Sequence, residues 1–166
     1  IIFEADDGKV TSITYLDLYK KVCQFANGLK SLDLKVGDRV IIYLPMSIEA
    51  VIAMQACARI GLIHSVIFGG FSAKSIQERI EDTKAKLIIT ADGQFRGGKL
   101  IPLKPIVDEA LKMGKCKSVD KIVIYNRAES KINININDIL WEDLVANMPE
   151  NCAPVFVDAE HPLFIL

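Results

Sequence analysis

Ile63–Lys99 has the sequence IHSVIFGGFSAKSIQERIEDTKAKLIITADGQFRGGK, and this stretch decides the fold. It opens with Ile63–Phe68, a short β-branched run without regular polar alternation, as expected of a strand that is covered on both faces. Gly69-Gly70 ends this run, and Leu87–Thr90 is a second strand of the same kind. The residues between the two runs predict a helix, so the unit predicts two parallel strands joined by a helical crossover.

The helix of this unit has two candidate N-caps, Ser72 and Ser75, and Ile76 and Ile80 share one of its faces. A polar loop that contains Arg96–Lys99 (RGGK) follows the second strand. In an open parallel sheet, the Gly-Gly turn and this loop both leave the carboxyl ends of strands, where ligands bind. We therefore expect any small-molecule site at this edge of the sheet.

The flanking chain repeats the alternation of strands and helices. The further predicted elements, in chain order, are a hairpin around Asp7-Gly8, a helix from Thr14 to about Ser31, a strand at Arg39–Leu44, a helix at Ile48–Ile60, a helix from Pro102 or Pro105 to about Met113, a strand at Lys121–Tyr125, a short helix at Asp138–Ala146 and a strand after Pro162. The expected buried face of the first helix consists of Tyr15, Leu18, Val22, Ala26 and Leu29. In the helix that ends near Met113, one face contains Ile106, Ala110 and Met113. This order predicts an α/β fold with a layered, mostly parallel, right-handed and doubly wound sheet flanked by helices.

Two of these segments carry a further expectation. The helix at Ile48–Ile60 is apolar on nearly all sides, so we expect it to be buried between layers. The segment Lys131–Asn137 (KINININ) alternates strictly between Ile and Asn, which predicts an edge strand or an insertion of biased composition.

Composition and charge exclude several classes of protein. The chain has 166 residues, of which 51% are hydrophobic and 25% charged, so disorder is excluded and a sizeable core is expected. The net charge is −1, which provides no field for non-specific binding to nucleic acid or to an anionic membrane. The apolar runs are too short for a membrane span, and the chain does not open with a signal peptide.

The four cysteines (Cys23, Cys57, Cys116 and Cys152) are widely spaced and include no C-x-x-C pair. This pattern favours neither a zinc ribbon nor a disulfide framework. A reducing, cytoplasmic setting is therefore the better interpretation.

Arg96 and Lys99, separated by Gly97 and Gly98, form the most suggestive local motif. A phosphate group needs cations and closely approaching backbone N–H groups, and glycine permits that approach. A solvated loop tip is the plainer explanation, and the spacing alone favours it.

The other candidate residues also have plainer explanations. Phe68-Gly69-Gly70 offers an aromatic face and an open backbone to a flat ring, although packing at a strand end explains it as well. His64 lies in an apolar strand and is expected to be a core histidine, whereas His161 is expected to be exposed. Asp92 follows a strand and serves either a function or a turn. The residues form no nucleophile–base pair and no metal-ligand spacing, so we expect no catalytic centre and no metal site here.

Two long blocks resemble the AMP-forming acyl-CoA synthetases of the acetyl and propionyl branch, in the adenylate-forming superfamily that also contains the luciferases. These blocks are residues 13–46 and 48–99, and their most specific parts are ACARIG, HSVIFGGFS and RGGK. The resemblance extends over essentially all 166 residues and is loosest across Lys115–Pro154.

The resemblance implies a ligase that converts acetate, ATP and coenzyme A (CoA) into acetyl-CoA, AMP and diphosphate through acetyl-adenylate. It implies that the CoA nucleotide lies against Phe68, Gly69 and Gly70, with its phosphates on the loop Arg96–Lys99. Lys99 stands where many members of the family have Arg, so it keeps the charge but lacks the bidentate fork.

The resemblance also implies a division of labour along the polypeptide. We expect residues 1–166 to be a single α/β subdomain of the N-terminal AMP-binding domain, truncated before the family's Ser/Thr/Gly-rich phosphate loop. The ATP, Mg²⁺ and acetate sites and the family's catalytic lysine are then expected beyond Leu166, and the chain is expected to have no ligase activity alone. Its expected partners are acetate, ATP, CoA and the remainder of its own polypeptide. The alternatives are part of a propionyl-CoA synthetase, a freestanding nucleotide-binding or regulatory α/β module, and a structural subdomain without catalysis.

Overall fold

The computed structural model describes residues 1–166 and contains ten strands and five helices. The strands are β1 (Ile2–Glu4), β2 (Val10–Ser12), β3 (Arg39–Tyr43), β4 (Ile63–Val66), β5 (Leu87–Ala91), β6 (Gly93–Arg96), β7 (Lys99–Pro102), β8 (Lys121–Tyr125), β9 (Asp138–Leu140) and β10 (Phe164–Ile165). The helices are α1 (Tyr15–Ser31), α2 (Ile48–Arg59), α3 (Ala73–Thr83), α4 (Lys104–Lys112) and α5 (Trp141–Val145).

Six of the strands form one sheet in the order β10-β4-β3-β5-β8-β9, and all of its neighbours are parallel. The predicted α/β fold with a parallel sheet is therefore confirmed. The chain passes from β3 to β4 on one side and then to β5 on the other, so the direction of winding reverses between β3 and β5. The carboxyl ends of strands at such a reversal form a crevice in which α/β proteins bind ligands.

Helices cover the sheet in two groups. Helix α1 packs against α2 and α5, and α2 and α5 contact the sheet from that layer, whereas α3 and α4 pack against each other and α4 contacts β5. The first group is fastened by the rings of Phe25 and Trp141, which stack with their centroids 3.7 Å apart. None of the helices is both long and apolar enough to cross a membrane.

Three helices begin where the sequence places a hydroxyl side chain. Thr14, Ser47 and Ser72 each accept a hydrogen bond from the backbone N–H three residues later. Such an N-cap satisfies one of the N–H groups that the first turn leaves unpaired. Of the two candidate caps of α3, the structure uses Ser72, and α4 begins with Pro105 in its first turn.

The predicted loop after β5 is wrong, because Gly93–Pro102 forms the antiparallel hairpin β6–β7. Arg96 pairs with Lys99, and the two residues between them, Gly97 and Gly98, have φ of +56° and +71°. Positive φ at both central residues is typical of the type I′ turn, whose twist matches that of the strands. The chain leaves the end of β5 at Asp92 and returns to the same point after the hairpin, because the Leu103 N–H donates to the Asp92 carbonyl over 3.1 Å.

The edge of the sheet also differs from the prediction. Lys131–Asn137 forms no strand, so the expectation of an edge strand there is wrong, and the interpretation as an insertion stays a prediction. The edge strand is β9, which takes up the first residues of the predicted helix and leaves α5 only Trp141–Val145. β9 pairs with β8, whose backbone groups would otherwise be unpaired along that side.

Two expectations about buried helix faces are wrong. Tyr15 is 91% exposed at the start of α1, and Met113 is 47% exposed at the end of α4, because both lie outside the turns that reach the sheet. Helix α2 contacts both the sheet and α1, and Gln55 is the only exposed residue of Ile48–Arg59, in agreement with the expectation that this helix is buried between layers.

Candidate functional site

The site that the sequence predicts lies at the carboxyl ends of β3, β4 and β5, where Tyr43 is a central anchor. Its side chain is fully buried at the end of β3. The Tyr43 hydroxyl accepts a hydrogen bond from the Gly70 N–H over 3.1 Å and donates one to the Phe71 carbonyl over 3.0 Å. Burial raises the pKa of Tyr43, and the hydrogen bond from Gly70 only partly offsets this effect. The hydroxyl therefore stays protonated and fixes the Gly-Gly turn on the sheet.

The Gly69-Gly70 turn is also fastened to the hairpin β6–β7. The side-chain amide of Gln94 donates to the Gly69 carbonyl over 3.0 Å. A Cβ atom on Gly69 would lie 2.7 Å from Gln94 Oε1, and Gly70 has φ of +114°. Gly70 therefore requires glycine for its backbone conformation, whereas a side chain at position 69 would displace the Gln94 amide that holds the turn.

Two aromatic rings remain open to solvent beside this turn. Phe68 is 52% exposed and Phe71 is 40% exposed, and their rings meet edge to face with centroids 6.1 Å apart. The guanidinium of Arg96 lies 5.6 Å from the centroid of Phe68, which is within the range of a cation–π contact. An exposed aromatic ring beside a cation is a surface on which a flat heterocycle can stack.

Arg96 and Lys99 are direct neighbours across the hairpin turn, and both are exposed. Like charges directly opposite each other destabilise a strand pair, yet neither residue forms an ion pair with a carboxylate. The amino terminus of α3, which begins at Ala73 and has no acidic residue in its first turn, adds positive potential nearby. This edge is therefore suited to a phosphate group.

The structure brings most of the predicted site residues together. Phe68, Gly69 and Arg96 line one cleft of about 230 Å³ with Gln94 and Phe95, and Gly70 follows in the same turn. Gly97, Gly98 and Lys99 lie at the tip of the same hairpin, where a Cβ on either glycine would contact nothing. That these seven residues bind CoA remains a prediction.

The two histidines differ in how they match the sequence expectations. His64 is buried as expected, and burial lowers the pKa of its imidazole, but its Nδ1 has no hydrogen-bond partner. His161 is only half exposed, and its Nε2 lies 3.1 Å from the Gly61 carbonyl, so the expectation of an exposed histidine is wrong. Neither ring reaches a nucleophile.

Asp92 serves the turn rather than an open site. Its carboxylate is fully buried and accepts hydrogen bonds from the backbone N–H groups of Gly93, Arg127, Ala128 and Ser130 and from the Ser130 hydroxyl. Burial raises the pKa of Asp92, but the hydrogen bonds, those of Ala128 and Ser130 foremost, outweigh that effect and lower the pKa. The carboxylate therefore ties the end of β5 to the segment that follows β8.

A comparison with models of protein families identifies the group to which these residues belong. The model described as "AMP-binding enzyme" matches residues 1–166. The chain belongs to the AMP-binding enzyme family. The family membership that the sequence blocks implied is thereby confirmed.

Two acetyl-coenzyme A synthetases are similar to this chain over its whole length. It is 61% identical over 166 residues to an acetyl-coenzyme A synthetase of Thiobacillus denitrificans, in an alignment that covers all of this chain and 25% of that protein. An acetyl-coenzyme A synthetase of Methylobacillus flagellatus is 60% identical, with 26% of that protein covered. The chain thus spans about a quarter of the length of these relatives.

The solved structure of an acyl-CoA synthetase has the same fold. The acetoacetyl-CoA synthetase from Streptomyces lividans superposes with a TM-score of 0.87 at 25% sequence identity. The match covers 99% of this chain and 25% of that one. The α/β architecture is therefore that of an acyl-CoA synthetase domain.

Sequence reasoning missed three residues that shape this edge of the AMP-binding fold: Tyr43, Gln94 and Arg127. Tyr43 carries a weak signal, since a polar hydroxyl at the end of an apolar strand needs a partner there. Gln94 and Arg127 carry no local signal, because the hairpin and the turn around Asp92 that position them were not predicted.

Proposed function

We propose that this chain is part of an AMP-forming acetate–CoA ligase and contributes the surface that binds the nucleotide of CoA. The similarity to acetyl-coenzyme A synthetases over the whole chain supports the ligase. The uncompensated pair Arg96 and Lys99, beside the exposed ring of Phe68 and the open Gly69-Gly70 turn, supports the nucleotide surface. The main observation behind the proposal is that Arg96 and Lys99 lie side by side without a carboxylate partner.

In the proposed reaction, acetate and ATP form acetyl-adenylate and diphosphate, and the thiol of CoA then displaces AMP. The residues described above bind and orient CoA in the second step. The adenine ring stacks at Phe68 and Phe71, while Arg96 and Lys99 neutralise phosphate charge. The Gly69-Gly70 turn, held by Tyr43, keeps the backbone close to the nucleotide.

The sites for acetate, ATP and Mg²⁺ belong to other parts of the polypeptide in this proposal. The chain supplies no residue that touches the reacting atoms, and it acts by holding the thiol substrate in place. We propose acetate rather than propionate as the substrate because the relatives named above are acetyl-coenzyme A synthetases.

The test uses the full-length enzyme with Arg96→Ala and Lys99→Ala combined. A charge-assisted hydrogen bond contributes roughly 1.5–3 kcal/mol, so the KM for CoA should rise about 10- to 100-fold or more. The KM for ATP in the acetate-dependent exchange of ATP with diphosphate, which needs no CoA, should rise far less. Lys117→Ala is the matched control, because it removes an exposed charge before the amino end of β8, at the opposite edge of the sheet.

An unaltered KM for CoA in the double variant would refute the assignment of this surface. The 166-residue chain alone should show no acetate-dependent exchange of ATP with diphosphate. Such an exchange by the purified chain would show that the adenylation site lies within these residues, contrary to the proposed division.

A further inference from the structure

Arg127 lies at the same edge of the sheet as the proposed CoA surface, two residues after the end of β8. It lines two neighbouring clefts together with Phe3 and Phe95. One cleft, of about 230 Å³, contains Phe68 and Arg96, and the other, of about 540 Å³, opens beside β8 and the start of α2. A ligand that extends from the Phe68 surface along this edge meets the Arg127 side chain.

The backbone of Arg127 is fixed before any ligand binds. Its N–H donates to Asp92 Oδ1 over 2.9 Å, and the N–H groups of Ala128 and Ser130 donate to the same carboxylate. Because Asp92 also holds the start of the hairpin β6–β7 through the Gly93 N–H, Arg96 and Arg127 are mounted on one buried anchor. The backbone segments that bear the two arginines are therefore held in a fixed relation before a ligand binds.

The guanidinium of Arg127 has no charged partner in the protein. It lies 5.5 Å from the centroid of the Phe3 ring, and its Nε is buried without a hydrogen-bond partner. Glu4 and Asp6 line the same cleft, yet neither forms an ion pair with it. An arginine that is held by its backbone and stacked on an aromatic ring, with unused donors, is suited to bind an incoming anion.

We propose that Arg127 binds a phosphate group of CoA as a third cation beside Arg96 and Lys99. The inference rests on the proposed function, since it takes CoA as the ligand of this edge. CoA carries a 3′-phosphate and a diphosphate, which are more anionic groups than two hairpin cations can neutralise. The planar guanidinium contacts phosphate oxygens through two parallel N–H groups.

The test compares Arg127→Met with Lys117→Met in the full-length enzyme. Arg127→Met keeps an apolar side chain on Phe3 but removes the charge. We expect the KM for CoA to rise at least tenfold, and at least fivefold more than the KM for ATP in the CoA-independent exchange. Arg127→Lys keeps the charge but lacks the two parallel N–H donors of a guanidinium. The KM of this variant for CoA should therefore lie between those of the wild type and Arg127→Met.

Assays with 3′-dephospho-CoA identify the phosphate group. If Arg127 binds the 3′-phosphate, Arg127→Met should raise the KM for CoA but not that for 3′-dephospho-CoA. If it binds the diphosphate, both values should rise by the same factor. Either result supports the inference.

Three results would overturn it, and they are distinguishable from failure of the proposed function. An unaltered KM for CoA in Arg127→Met, with a raised KM in the Arg96→Ala/Lys99→Ala variant, refutes the role of Arg127 alone. Unaltered values in both variants refute the CoA surface itself. Equal rises for CoA and for ATP, with a lowered melting temperature, would show that Arg127 only supports the fold.

Discussion

The buried carboxylate of Asp92 gives the sharpest prediction about this structure, through the substitution Asp92→Asn. In the protein, Oδ1 accepts three backbone N–H groups, and Oδ2 accepts the N–H and the hydroxyl of Ser130. An asparagine that places its carbonyl at Oδ1 keeps the first three hydrogen bonds, now without the charge. Its NH₂ group then faces the Ser130 N–H, and that buried donor is left without an acceptor.

The size of the effect follows from these contacts. Leaving a buried N–H unpaired costs about 1–3 kcal/mol, and a hydrogen bond to a neutral group is worth about 1 kcal/mol less than one to a charged group. Asp92→Asn should therefore lower the free energy of unfolding by about 3 kcal/mol or more. Urea denaturation followed by the fluorescence of the buried Trp141 measures this loss as a lower midpoint at constant slope.

Two further measurements make the test of Asp92 decisive. Ser130→Ala removes only one hydroxyl donor and should cost about 1 kcal/mol. Since the pKa of Asp92 is lowered on folding, its stabilising effect is complete above the ordinary carboxyl pKa of about 4 and disappears as the pH falls through the folded value. The wild type and Asp92→Asn should therefore converge in stability in acid. A loss below 1 kcal/mol at pH 7, or a difference that does not shrink in acid, would refute this account of the carboxylate.

Three other predictions concern the core. Lys104→Met should lower the free energy of unfolding by about 3–5 kcal/mol in urea titrations, because it leaves the fully buried carboxylate of Asp138 without its ammonium partner 2.9 Å away; a neutral effect would mean that water compensates for the lysine. Phe25→Ala should cost about 3–5 kcal/mol and shift the emission of Trp141 to longer wavelength, since it removes the ring stacked on the indole; unshifted emission would contradict that stack. Burial raises the pKa of Cys57 to about 12, so iodoacetamide at pH 8 should label this thiol only in urea, and mass spectrometry that finds it labelled in the native protein would contradict its burial.

The sequence predicted the layered fold well because the central strands and helices carry strong local signals. The buried strands β3, β5 and β8 are continuous apolar runs, and Thr14, Ser47 and Ser72 mark the helix starts within one residue. These signals are local and agree with the tertiary structure. Type and position of the elements therefore followed from residues near each other in the chain.

The parts that were mispredicted depend on contacts between distant residues. The alternating segment Lys131–Asn137 has the pattern of a strand, yet β9 takes the edge because Asp138–Leu140 is in register with β8. The hairpin β6–β7 was interpreted as a loop although Gly97-Gly98 is a recognised type I′ pair. Arg127 was overlooked because its place at the site edge is set by Asp92, 35 residues earlier.

The closure of the hairpin β6–β7 has a consequence for how such a protein can change over evolution. The chain departs from the sheet at Asp92 and returns at Leu103, whose N–H bonds to the Asp92 carbonyl. The excursion between them adds no strand to the main sheet, so its length and tip sequence can vary while the sheet keeps its register. Substitutions at the tip, Phe95–Leu100, can thus change which charged groups a ligand must carry, while Gly93 and Gln94 keep their contacts with Asp92 and Gly69. Selection on ligand preference then acts on the tip of the hairpin, and selection on folding acts on its base and on the sheet.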